Sequence, residues 1–263
     1  MKVVPKEYNS ALIVDATWKP NNISKKPNLT YVIAAMPRSG SNLLTRQLCR
    51  AGVGLPAEYL QPFLMKPFTE EFQLPVQGFA EYLDLLKNIR QTPTGVFGLK
   101  AHWEQFEPVS KDIIFERLGH TRFILTRRRN IAAQAISLER AFKTGKWDPR
   151  WKPNLESRDS AADPEDLERL IRRCKLISEE EGRWIKYFSD NSIAPLEIYY
   201  EDLISDQDLV MQRIFRFLEL DAKVPEVEPA PKGRTGEVGR DNEVLKALKA
   251  ALKDHTIKRA QLS

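Results

Sequence analysis

The sequence predicts an α/β fold, a P-loop-like and mostly parallel sheet flanked by helices on both faces. Three observations carry this expectation. Short apolar runs of strand length alternate four times with segments of helical spacing. The first run, Tyr31 to Met36, is apolar throughout and has the right length for a buried strand. It passes at once into the small-residue turn Pro37-Arg-Ser-Gly-Ser-Asn42 and then into a helix pattern. That handover aims backbone N–H groups and the positive end of a helix dipole at one point, which suits a phosphate or sulfate.

Residues 1–30 are polar and carry Pro5, Pro20 and Pro27, so they read as an N-terminal arm. Residues 31–263 read as a single α/β domain. Pro37 ends the first strand because it cannot donate to a ladder, and Gly40 permits a tight turn. Leu43, Leu44 and Leu48 followed by Gly52 give a helix with its stop. Arg38, Ser39 and Ser41 add a fixed charge and hydroxyl donors to the turn, beside Gly40 and Asn42. The phosphate-loop pattern G-x-x-x-x-G-K-[ST] is not met. Ala35 stands at its first glycine, Ser41 at its lysine and Asn42 at its magnesium-holding hydroxyl. A small-molecule kinase would therefore lack two working parts.

Leu55 to Pro62 is too proline-rich for a helix, and Glu58 within it is expected near the first loop, because the connecting helix is only about three turns long. Phe79 to Arg90 is an amphipathic helix pattern. Gly95 to Trp103 is the second strand signal, with Lys100 and His102 two residues apart on one face. Residues 104–119 read as one short helix. Thr121 to Thr126 is the third strand, followed directly by Arg127, Arg128, Arg129 and a helix of small residues from Ile131. Arginines at a strand-to-helix handover again make an anion site. Trp147 to Asn154 reads as a loop over a site or an interface segment.

A long helix is expected from Pro164 to Ser189, capped by Asp163. A fourth strand is expected over Ala194 to Tyr200. Glu201-Asp202 after it reads as a structural carboxylate that anchors loops. Leu209, Ile214, Phe217 and Leu218 mark a packed helix, and 221–241 a Pro/Gly-rich loop. The last pattern, Glu243 to Lys253, is a basic amphipathic helix, for which partner docking, core packing and peripheral membrane contact all stay open.

The chain has 263 residues, 42% hydrophobic and 29% charged, with a formal net charge of +5 and a pI of about 9.1. This excess suits an anionic ligand and is too small to imply nucleic acid. Cys49 and Cys174 show no paired spacing, which points to thiols in a reducing compartment. With no signal-peptide pattern and no run of spanning length, a cytoplasmic protein is expected.

Two stretches carry a family resemblance. Pro37 to Leu44 with Gly52 to Tyr59, and the segment from Arg127 to Trp147, resemble the Stf0-type sulfotransferases. The resemblance implies a sulfuryl donor, 3′-phosphoadenosine 5′-phosphosulfate, and no metal. It implies that Arg38, Ser39, Gly40, Ser41 and Asn42 hold the phosphosulfate end. In the wider superfamily an arginine and a serine eight positions later bind the donor's 3′-phosphate. Arg129 and Ser137 have that spacing, and Arg127 and Arg128 stay open as alternatives. A loose match at the late basic loop adds Lys232 and Arg234. For the catalytic base, Glu58 stands in the Pro-x-Glu-Tyr context of the family, while His102 matches the superfamily histidine by position; Lys100 and Arg38 would assist. The implied acceptor is a carbohydrate hydroxyl of a trehalose-like sugar, a glycolipid or a polysaccharide, and a homodimer stays open. A small-molecule kinase, a non-catalytic nucleotide-binding protein and a scaffold are the rival readings.

Overall fold

A computed structural model of the chain describes residues 27–61, 78–109, 117–145, 147, 164–226 and 244–250. Its four strands are β1 (Leu29–Ala35), β2 (Val96–Ala101), β3 (Thr121–Arg127) and β4 (Leu196–Tyr199). They form one sheet in the order β2-β1-β3-β4, and every pairing is parallel. The helices are α1 (Ser41–Arg50), α2 (Phe79–Arg90), α3 (Trp103–Phe106), α4 (Ile131–Thr144), α5 (Pro164–Asp190), α6 (Tyr200–Ser205) and α7 (Gln207–Leu218). Residues 244–250 are also helical.

Both sheet faces are covered, and β1 shows why its run is apolar at every position. Val32 and Ala34 enter one core with residues of α2, α3, α4 and α5. Tyr31, Ile33 and Ala35 enter a second core with residues of α1 and α7. Successive side chains of a strand point to opposite faces, so a central strand between two helical layers needs both sets apolar.

The expected single helix over 104–119 is corrected. The α-helix stops at Phe106 and tightens into a 3-10 turn over Glu107–Val109. Pro108 accounts for the change, because it supplies no N–H to continue the i to i−4 ladder, while Glu107 itself keeps helical dihedrals (φ −53°, ψ −45°). Residues 110–116 lie outside the described residues, as do residues 1–26 of the N-terminal arm, the Asp163 cap and the C-terminal pattern beyond 250.

One aromatic cluster ties α3, β3 and α5 together. The ring of Trp184 lies 5.1 Å from Trp103 edge-on, 4.7 Å from Phe106 and 5.6 Å from Phe188 in a stack. Phe123 of β3 meets Phe106 edge-on at 6.1 Å. Trp184 is fully buried. Trp184→Ala should destabilise the fold by about 3–5 kcal/mol, the usual cost of emptying an aromatic core site. Urea unfolding measures it, and a loss under about 1 kcal/mol would show that the cluster collapses onto the gap.

The chain leaves β1 towards β2 on one side and leaves β3 towards β4 on the other. The crevice between the carboxyl ends of β1 and β3 is therefore the topological switch point, where open α/β sheets place ligands.

Candidate active site

The turn after β1 is held in shape from several directions. Gly40 (φ 85°) precedes α1 in a left-handed conformation, no side chain caps the helix, and its first turn has no acidic residue. The start of α1 thus keeps its N–H groups and positive dipole end available to an anion. Ser39 Oγ donates to the carbonyl of Met36 at 2.8 Å and lies 2.8 Å from Thr126 Oγ1 of β3. Gln134 of α4, buried, donates to the carbonyl of Pro37 at 2.8 Å. Arg38 sits at φ 62°, an uncommon value for a side-chain-bearing residue. Its Nε donates to Ser137 Oγ at 2.9 Å, and its Nη1 donates to the carbonyl of Trp147. The turn and the segment expected to form a second pocket are therefore in direct contact, through Arg38 and Ser137.

Gly40 cannot be replaced without strain. A Cβ there would lie 2.6 Å from Cδ2 of Tyr200 at the start of α6. Gly40→Ala should cost about 1–2 kcal/mol from the left-handed backbone alone, with the clash in addition. Denaturant melts test this, and native stability in the variant would refute it.

Beside the turn lies a buried acid–base cluster. The Lys100 N–H donates to the carbonyl of Ala57 at 3.0 Å, which lays the 55–61 segment along the end of β2. This brings Glu58 Oε1 to 2.8 Å from Lys100 Nζ, with the side chains 13% and 3% exposed. Lys100 Nζ also donates to Asn42 Oδ1 in the first turn of α1. Glu58 Oε2 accepts from Gln105 Nε2 at 3.0 Å and Gln61 Nε2 at 3.3 Å. Nε2 of His102 lies 3.7 Å from Glu58 Oε1. Burial pushes the Glu58 carboxyl upward, but Lys100 and His102 outweigh it and hold it well below the usual carboxylate range. Burial disfavours the charged His102 ring, yet Glu58 outweighs that and raises its proton affinity. The two candidate bases are thus neighbours that share one charge system.

The three arginines diverge. Arg127 pairs with Glu181 and with Glu197 (2.9 Å). Arg129 makes a forked contact with Asp202 at 2.6 and 2.9 Å and lies 4.2 Å from the Tyr199 ring centre. This pair is exposed and parts at little cost in water. Arg128 points the other way, its guanidinium 4.6 Å from the centre of Tyr200, the ring that abuts Gly40. Its Nε is buried and makes no hydrogen bond among the described residues. Arg127 closes β3 and the other two lie past its end; Arg127 and Arg129 both lie against the Tyr199 ring, which Arg128 does not share. Asn130 caps α4 by accepting from the Ala133 N–H at 3.1 Å. Glu201 anchors the handover by accepting from the N–H groups of Arg129 (3.1 Å) and Asn130 (3.2 Å).

Sequence reasoning passed over Gln61, Gln105, Gln134, Tyr200 and Glu180. Glu180 lies in a run of three glutamates that reads as a solvated face. Its place four residues before Trp184 was the available signal, because that spacing puts it on the same helix face as a core residue. Lys232 and Arg234 lie outside the described residues, as do 62–75 and 148–160, where acceptor-facing loops were expected. Among the described residues no group of three or more His, Cys, Asp or Glu could hold a metal ion. None of their helices is long and apolar enough to cross a membrane.

An uncapped helix start and a buried Glu58–Lys100 pair meet at the carboxyl ends of β1 and β2. A sequence model of the Stf0 sulphotransferases matches residues 30–243, and the chain belongs to that family and is a sulfotransferase. Trehalose 2-sulfotransferase of Mycolicibacterium smegmatis is 25% identical, over 76% of this chain and 87% of that one. The trehalose 2-sulfotransferase of Mycobacterium tuberculosis is 24% identical over the same shares. A sulfotransferase of known structure from Alicyclobacillus acidocaldarius aligns with a TM-score of 0.47 at 16% identity, over 86% of this chain and 96% of that one.

Proposed function

We propose that the protein moves a sulfuryl group from 3′-phosphoadenosine 5′-phosphosulfate to a carbohydrate hydroxyl, with Glu58 as the base. The observation that carries this reading is Lys100. One buried ammonium touches both Glu58 and Asn42, so the base and the anion cradle are a single side chain apart. Both curated relatives named above are trehalose 2-sulfotransferases, which supports a trehalose-like sugar or its glycolipid as acceptor.

Arg38, the N–H groups opening α1, Ser39 and Ser41 would cradle the phosphosulfate. Ser137 would meet the 3′-phosphate. Arg128 would join from its place against Tyr200, the ring that abuts Gly40, and Arg129 would join by leaving Asp202. The acceptor oxygen attacks sulfur in line. An O–S bond forms, the bond from sulfur to the phosphate oxygen breaks, and the hydroxyl proton passes to Glu58. The electron pair of the broken bond stays on adenosine 3′,5′-bisphosphate, where Arg38 and Lys100 offset the growing charge. As Lys100 turns to that charge, Glu58 loses its strongest cation and becomes a better base.

The test is an acceptor screen with isotopically labelled donor, read by mass spectrometry. Label is expected on a sugar hydroxyl without added magnesium. Transfer of phosphate from ATP, or binding of the bisphosphate with no transfer to any acceptor, would overturn the reading.

A further inference from the structure

His102 has its own supporting group, and the transfer scheme leaves it unused. The ring Nδ1 lies 3.0 Å from the carbonyl oxygen of Ala35 at the end of β1. A carbonyl only accepts, so Nδ1 carries a hydrogen whether the ring is neutral or charged. Glu180 Oε1 of α5 lies 3.7 Å from the same nitrogen. The exchangeable proton therefore belongs on Nε2, the nitrogen that faces Glu58 Oε1 at 3.7 Å. Glu180 is itself fixed, since its Oε1 accepts from the Trp103 N–H at 2.9 Å. The aromatic cluster around Trp184, one turn further along α5, locks this junction of α5 and α3.

We infer that Glu180 is a positioning residue that governs when His102 releases its Nε2 proton, and through it when Glu58 is free to act as a base. This rests on the reading of Glu58 as the base. The charged groups that bear on the His102 ring are Glu58, Glu180 and Lys100, and those that bear on Glu180 are His102, Glu104 and Arg183. Two carboxylates against one lysine favour the imidazolium. While Nε2 is protonated, Glu58 is tied to a second cation and is a weak base. When the proton leaves, Glu58 faces a neutral ring and its proton affinity rises. The sign follows. Removing the Glu180 charge lowers the proton affinity of His102, so the acidic limb of the rate profile moves to lower pH.

Glu180→Gln removes the charge and keeps an oxygen for the Trp103 N–H. The His102 ring is titrated by NMR in the native protein and in the variant, its signal assigned with His102→Asn among the three histidines. The pH dependence of kcat/KM is measured in parallel. The ring pKa should fall in Glu180→Gln, with the acidic limb moving to lower pH by the same amount. Glu180→Asp, which keeps the charge, should restore both towards native. An unchanged ring titration in Glu180→Gln, or equal shifts in the Gln and Asp variants, would overturn the inference. Failure of the underlying reading looks different: Glu58→Gln would keep its turnover, whatever the His102 ring does.

Discussion

Glu58→Gln is expected to lower kcat by about 10²–10⁴-fold, the usual contribution of a positioned general base. The amide has nearly the shape of the carboxylate but cannot take the acceptor proton. Lys100 keeps Asn42, and His102 keeps the Ala35 carbonyl and Glu180. Two cations lose their shared anion, however, and breaking a buried pair costs about 3–5 kcal/mol in other proteins. Affinity for adenosine 3′,5′-bisphosphate, measured by calorimetry, separates the two effects. Bisphosphate binding should persist while turnover is lost. Native kcat in the variant would remove Glu58 from the chemistry and pass the role to His102.

Arg38→Ala should reduce kcat/KM by about 10²–10³-fold, as loss of one preorganised donor to a developing oxyanion does. The effect has two parts. The guanidinium charge leaves the cradle, and the ties to Ser137 Oγ and the Trp147 carbonyl are cut. Arg38→Lys divides them, since lysine restores charge but not the fork that reaches both partners. Partial recovery in the lysine variant, with bisphosphate affinity still weakened, is the expected pattern. Steady-state kinetics with saturating acceptor would show it, and full activity in the alanine variant would exclude Arg38 from the donor site.

The fold was legible wherever periodicity was strong. The apolar run before Pro37, the amphipathic spacing of α2 and the long apolar stripe of α5 each predicted an element within a residue or two of its ends. The helix expected over 104–119 failed because its apolar spacing was read past Pro108, whose backbone effect wins locally. At the site, Lys100 and His102 could be placed on one face and Glu58 could be nominated, yet their meeting with Glu58 could not be read. It depends on a backbone hydrogen bond between residues 57 and 100, which no local pattern encodes. The three arginines show the same limit. Their clustering suggests an anion site, but their divergence is set by Glu181, Glu197, Asp202 and Tyr200, all from distant parts of the chain.

The packing of Tyr200 against Gly40 has a consequence for biosynthesis. The turn after the first strand is walled at Gly40 by a ring encoded some 160 positions downstream. On the ribosome, a chain that has exposed only its first half lacks that wall. If this turn holds the donor, capture of the nucleotide by a nascent chain should begin only after the fourth strand has emerged and Tyr200 has docked.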